Sequence, residues 1–293
     1  RLFIYIKKKT IVGNRYPKLL NVCKLYFMRT IYVILAVILL SAVNCSAQTW
    51  EAEVFGGASG YIGDINPVRV YKVTDPAYGI AVKRNFDGFW SASINATRGR
   101  IQGNDADSPS AYQRARNLSF FSTITEISAT AEFNFFNYLP GAEHAINHHL
   151  VTPFLFAGIG SVFFSPKTMY KGTEYELQPY QTEGALYTLS SLSIPYGAGV
   201  KYNIKSNWSV LFKIGYRLTF TDYLDDVSGK YSASDINETA ALFRDRSGEV
   251  NGGENIGVRG TQRGDLRGSD AYMFAGFGIS YTFVSHRCFS FQE

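Results

Sequence analysis

Leu192-Ser193-Ile194-Pro195-Tyr196-Gly197-Ala198-Gly199-Val200-Lys201-Tyr202-Asn203-Ile204 decides the fold of this chain. Every even position is apolar or aromatic, and every odd position is small, polar or charged. Side chains of an extended strand alternate between two faces, so this segment has one oily face and one polar face. The alternation lasts longer than the ~5–6 residues of a usual strand. It covers the ~9–11 residues that a tilted strand needs to cross a bilayer. Hydrocarbon offers no hydrogen bonds, so a spanning strand must be paired on both edges, inside a closed barrel.

The partners are present. Reading outward for the same period of two gives Trp50–Gly57, Ala77–Arg84, Phe89–Gly99, Leu118–Phe136, Thr152–Phe164, Trp208–Thr221 and Ala271–Phe283. With the opening stretch the expected fold is all-β, an eight-stranded antiparallel transmembrane β-barrel. Connections after odd strands are long: Ser59–Pro76, Arg100–Asn117, Ser165–Ser191 and Asp222–Asp270. Those after even strands are shorter, with Asn85–Gly88 and Lys205–Asn207 very tight and Asn137–Val151 the long exception. Short periplasmic turns and long outer loops are the rhythm of outer-membrane barrels. An even strand count puts both termini in the periplasm.

The tryptophans agree with this register. Trp50, Trp90 and Trp208, the three in the chain, all begin odd-numbered strands with outward parity. Phe135 and Tyr202 close even strands at the same end. These five form the expected periplasmic aromatic girdle. A soluble barrel would place its apolar side inside; here the polar side is inside.

Inward parity collects Glu51, Glu53, Glu126 and Glu132 together with Lys83, Lys201, Lys213 and Arg217. Eight strands leave an interior that side chains can fill. An unpaired buried charge costs several kcal/mol, so this balanced set is expected to form cross-barrel ion pairs that plug the lumen. No open diffusion pore is expected. Pro195 lacks an N–H for the ladder and is expected to mark a bulge.

The chain starts at Arg1, and its first methionine is Met28. Arg29, the apolar run Ile31–Leu40 and the small residues Cys45-Ser46-Ala47 have the layout of an export signal. The expected division is residues 1–27 as upstream sequence, 28–47 as signal peptide and 48–293 as the barrel domain. Eight of the 29 basic residues and none of the 24 acidic ones lie in residues 1–47, so the remainder carries a net charge of about −3. No basic patch argues for nucleic acid. Only Cys288 lies beyond residue 47, which excludes an intrachain disulfide in the barrel domain.

Candidate chemistry is sparse. Glu143, His144, His148 and His149 have metal-like spacing but lie in a turn, where solvation explains them. Asp222, Asp225 and Asp226 could hold Ca²⁺ through oxygen. They open the longest loop, where solvated charge is the expectation. Arg263-Gly264-Asp265 imitates an adhesion tripeptide within a loop rich in those residue types. No strand carries a histidine for a nucleophile–base pair, so no enzyme activity, cofactor or metal is expected.

Several segments together resemble a known family. They are Tyr61-Ile62-Gly63-Asp64-Ile65, Glu132-Phe133-Asn134-Phe135-Phe136-Asn137-Tyr138, Thr152–Gly158, Ser193–Tyr202, Thr221–Ser228 and Ile279-Ser280-Tyr281-Thr282-Phe283. Their order and spacing are similar to the PorG-like outer-membrane barrels, of OmpA/OmpX-like size. The resemblance implies a role in type IX protein secretion, tying a periplasmic ring of PorK and PorN proteins to outer-membrane lipid. It carries over no catalytic residue. The tail Val284–Glu293 after the final aromatic Phe283 departs from the usual barrel-assembly ending. The alternative is a small surface barrel whose long loops bind a ligand or host molecule.

Overall fold

The computed structural model describes residues 49–66, 73–141, 149–265 and 268–284. The expected upstream sequence, export signal and most of the terminal tail lie outside these residues. Among the described residues ten strands form: β1 Thr49–Ile62, β2 Val73–Asn85, β3 Trp90–Asn104, β4 Ser119–Asn134, β5 Val151–Phe163, β6 Pro166–Tyr170, β7 Thr173–Glu176, β8 Ser190–Lys205, β9 Trp208–Thr219 and β10 Ala271–Phe283. Eight of them close an antiparallel ring in the order β1-β2-β3-β4-β5-β8-β9-β10. The ring shuts where β10 lies along β1, from Trp50 opposite Phe283 to Ile62 opposite Ala271. All eight expected strands are present, and several are longer than their alternation alone shows.

The outer face is oily around its whole circumference. Val54, Ile80, Ile94, Ile127, Ile159, Leu192, Phe212 and Phe277, one from each strand of the ring, are exposed. A soluble surface rarely leaves more than a few hundred Å² of contiguous apolar area open to water. Met273 is an exception on β10: it shares the parity of the exposed Phe277 and Ile279 but is buried.

Pro195 does not mark a bulge. Its partner across from β9 is Arg217 in unbroken register. On the β5 side, the pairing passes from Ala157–Tyr196 to Gly160–Ser193 without a shift. The missing N–H is absorbed by skipped rungs rather than by an extra residue. The register shifts fall elsewhere, at Ser59/Gly60 in β1 and Asn203/Lys205 in β8.

The two ends of the ring differ. At the turn end, Asp87 Oδ1 accepts the N–H groups of Phe89 and Trp90 at 2.7 and 2.6 Å, which fixes the β2–β3 reversal. At the loop end the long connections fold into a cap. It contains the β6–β7 hairpin, helix α1 (Ala111–Arg116) and helix α2 (Glu238–Arg244). Ser110 caps α1 and Asn237 caps α2 through their side chains. In α2, Phe243 is buried among the rings of Tyr170, Tyr175 and Tyr180 at 6.1, 5.0 and 5.1 Å. This apolar core continues down into the barrel through Ile101, Phe120, Ile124, Tyr272 and Phe274.

Candidate functional site

The lumen has two storeys. The lower one, toward the turn end, holds a network of six charges. Lys83 Nζ from β2 lies 3.6 Å from Glu51, 3.5 Å from Glu53 and 3.1 Å from Glu132. Lys201 of β8 approaches the same Glu132 oxygen at 2.6 Å and also donates to Asn134 at 3.1 Å. Lys213 of β9 lies 2.5 Å from Glu53. Asn85 donates to Glu51 at 3.1 Å. Higher in the lumen, Arg217 pairs with Glu126 at 3.2 Å, and the Tyr272 hydroxyl donates to the same carboxylate at 2.6 Å. The structure thus brings all eight inward charges into ion pairs. Aromatic rings support the cations: Lys201 over Phe154 at 4.5 Å, Lys213 over Phe55 at 4.9 Å and Arg217 over Phe274 at 4.6 Å.

This packing leaves little room. A void of about 20 Å³ remains between Asn95, Thr130, Glu132, Lys213 and Arg217. That is space for about one water molecule. At the lower mouth Tyr138, just past β4, is buried and its hydroxyl donates to Ser209 at 2.6 Å. Sequence reasoning gave Tyr138 no role. Its only signal was its place at the end of the Glu132–Tyr138 segment. The upper storey is also a correction: inward parity includes Phe120, Ile124, Tyr272 and Phe274, so the lumen is ionic below and apolar above.

The five aromatic residues at the turn end all point outward and are about half exposed. Trp90 packs on Phe133 at 5.0 Å, Phe133 on Phe135 at 5.5 Å, and Trp208 on Tyr281 at 5.0 Å. Trp50 carries the Arg84 guanidinium at 4.8 Å. Tyr202 stands opposite Val151 and Val210 in the same ring of positions.

The cap overturns the solvated reading of its acidic loop. Asp225 and Asp226 are each 1% exposed. Asp226 accepts hydrogen bonds from Thr182 and Tyr187, both at 2.6 Å. Asp225 faces a different way and meets two acids distant in sequence, Asp64 of the β1–β2 connection and Asp270 at the far end of its own. One carboxylate oxygen from each lies within 4.8 Å of the others. Asp222 is not a member of this group. Burial and the neighbouring Asp225 charge push Asp64 up to about 9; burial pushes Asp225 up to about 7. Asp270 is raised well above the usual carboxylate range by burial and by Asp225. Arg263 of the adhesion-like triplet is buried and donates to Glu183 at 3.1 Å and to the Asp226 carbonyl at 2.7 Å. It is structural, not displayed. Of the turn residues with metal-like spacing, His149 packs on Phe136 with tilted rings at 5.1 Å; Glu143, His144 and His148 lie outside the described residues.

A closed ring of eight strands, oily outside and ion-paired within, defines an outer-membrane-type β-barrel. The chain belongs to the family described as a domain of unknown function, DUF6089, which matches residues 28–243. Among solved structures, the N-terminal β-barrel domain of Pseudomonas aeruginosa OprF is similar at 12% identity, covering 80% of this chain and 97% of that one, with a TM-score of 0.35. Neisserial surface protein A gives 11% identity, 81% and 98% coverage, and a TM-score of 0.39. A major outer membrane protein from Thermus thermophilus gives 12% identity, 81% and 100% coverage, and a TM-score of 0.38. No curated protein matches the chain.

Proposed function

We propose that this protein sits in the outer membrane with both termini in the periplasm. There it acts without catalysis or cofactor as a PorG-like component of the type IX secretion system. In this role the barrel is an anchor, and its periplasmic turns grip a ring of PorK and PorN type. The observation that carries this reading is the double closure of the lumen, by Tyr138 and the ion network below and by the folded cap above. A barrel filled in this way is suited to holding a partner rather than passing a solute. The family-like order of segments in the sequence adds the identity of the partner.

The β4–β5 turn is the proposed contact. Replacing residues 142–148 with a short glycine linker spares Tyr138 and the barrel. The variant is expected to stay heat-modifiable on gels and to lose co-purification with the ring proteins. Unchanged co-purification contradicts the contact. Normal secretion of type IX cargo in a null strain contradicts the role itself.

A second reading has its own observation. The cap displays Tyr112, Leu186, Ile236 and Val258 as exposed apolar side chains, which suits a surface that binds a ligand or host molecule. Cap substitutions that spare secretion and abolish surface binding support it.

A further inference from the structure

We propose that Asp64, Asp225 and Asp270 form a Ca²⁺ site that fastens the cap to the barrel rim. The three residues come from two connections: Asp64 from β1–β2, and Asp225 and Asp270 from the start and the end of β9–β10. Two oxygens bound to one Ca²⁺ at ~2.3–2.6 Å lie at most ~5 Å apart, and the three carboxylates meet that limit.

Proximity of acids alone points nowhere; the hydrogen-bond count does. Asp225 accepts from the Val227 N–H at 2.9 Å and from the Tyr61 hydroxyl. Asp270 accepts from the Leu224 N–H at 3.0 Å, and its other oxygen lies 3.3 Å from the same Tyr61 hydroxyl. A phenol has one proton, so it serves one of these two acids at a time. Asp64 accepts from the Asp265 N–H through Oδ1. Its Oδ2 is buried and has no hydrogen-bond donor, and the residue is 1% exposed. A buried carboxylate oxygen without a donor is costly, and a cation supplies what the protein does not.

The nearby bases are occupied elsewhere. Arg116 forms its ion pair with Asp105 at 2.7 Å and Arg263 with Glu183 at 3.1 Å. The donors are all hard oxygens, which suits Ca²⁺ or Mg²⁺ over softer metals. An irregular set drawn from two loops suits Ca²⁺ better than Mg²⁺, which demands near-octahedral geometry and keeps several waters. The inference does not rest on the secretion role and can fail without it.

The test is equilibrium dialysis of the full barrel domain in detergent with ⁴⁵CaCl₂ at pH 8, without and with equimolar MgCl₂ as competitor. One ion per chain is expected, with a dissociation constant of about 1 mM or tighter, the range of extracellular sites. Asp64→Asn and Asp225→Asn are each expected to weaken binding at least tenfold, while Asp226→Asn keeps it. Heat-modifiability on gels shows that each variant is folded. For wild type alone, Ca²⁺ is expected to slow hydrogen exchange in residues 220–265 relative to EDTA. Absence of saturable binding by the folded wild type overturns the proposal. So does equal binding by the Asp64→Asn and Asp225→Asn proteins, or full displacement by equimolar Mg²⁺.

Discussion

Lys83 on β2 and Glu132 on β4 meet inside the barrel at 3.1 Å, although β3 separates their strands. This contact links opposite acid clusters, because Lys83 also approaches Glu51 and Glu53 while Glu132 also holds Lys201. Both side chains are buried. The pair is therefore the centre of the plug and the most sensitive point in it.

Removing one member leaves buried charge uncompensated. Glu132→Gln is expected to destabilise the barrel by ~3–5 kcal/mol, because Lys201 loses its partner and Lys83 its shortest contact. Urea unfolding in detergent micelles, followed by heat-modifiability, measures the loss. A shift below ~1 kcal/mol contradicts the network.

The filled lumen sets the transport behaviour. Residues 48–293 reconstituted in a planar bilayer are expected to give no steady single-channel current. A stable conductance of uniform size contradicts the plug of Tyr138 and the six-charge network.

The oily outer face makes an opposite demand. Ile94 is 60% exposed, and in a water-soluble protein Ile94→Arg would change stability little. In a bilayer an outward Arg near the midplane costs ~2–4 kcal/mol. Refolding into lipid vesicles across a denaturant series is expected to show that cost, and a neutral result contradicts the lipid contact.

The cap acids predict a pH dependence of definite sign. Asp64 faces the charges of Asp225, Asp222 and Asp265; Asp225 faces Tyr61, Arg116 and Arg263. Both carboxyls are raised on folding, to about 9 and about 7, from the unfolded value of ~3.9. Between the unfolded and folded values the folded cap binds more protons, so its stability falls as pH rises. In EDTA, exchange protection of residues 220–265, corrected for intrinsic rate, is expected to be higher at pH 5 than at pH 9. Equal protection, or more at pH 9, contradicts this.

Much of the barrel was legible because a strand writes its two faces into alternate residues. Leu192–Ile204 shows both faces, and the same rule gave the inward charges from Glu51 to Arg217. What stayed hidden has physical causes. Asp64, Asp225 and Asp270 are far apart in sequence, and only ring closure brings their loops together. Tyr138 lies past the last alternating residue, where no period points it inward. Phe120 and Tyr272 did carry inward parity. They were missed because a lumen is expected to be polar, whereas the upper half of this one merges with the apolar core of a folded cap. Pro195 misled for a related reason: a strand can skip rungs on one side while its register stays fixed by the other.

Depth-dependent quenching of tryptophan fluorescence tests the central claim most directly. Residues 48–293 are refolded into vesicles whose acyl chains carry bromine at defined depths. Trp50, Trp90 and Trp208 are expected to be quenched most by bromine close to the headgroups, all three at one depth, with sheet-type circular dichroism. Water-like emission that no brominated lipid quenches, from a protein that stays dissolved without detergent, contradicts an oily exterior turned to the bilayer.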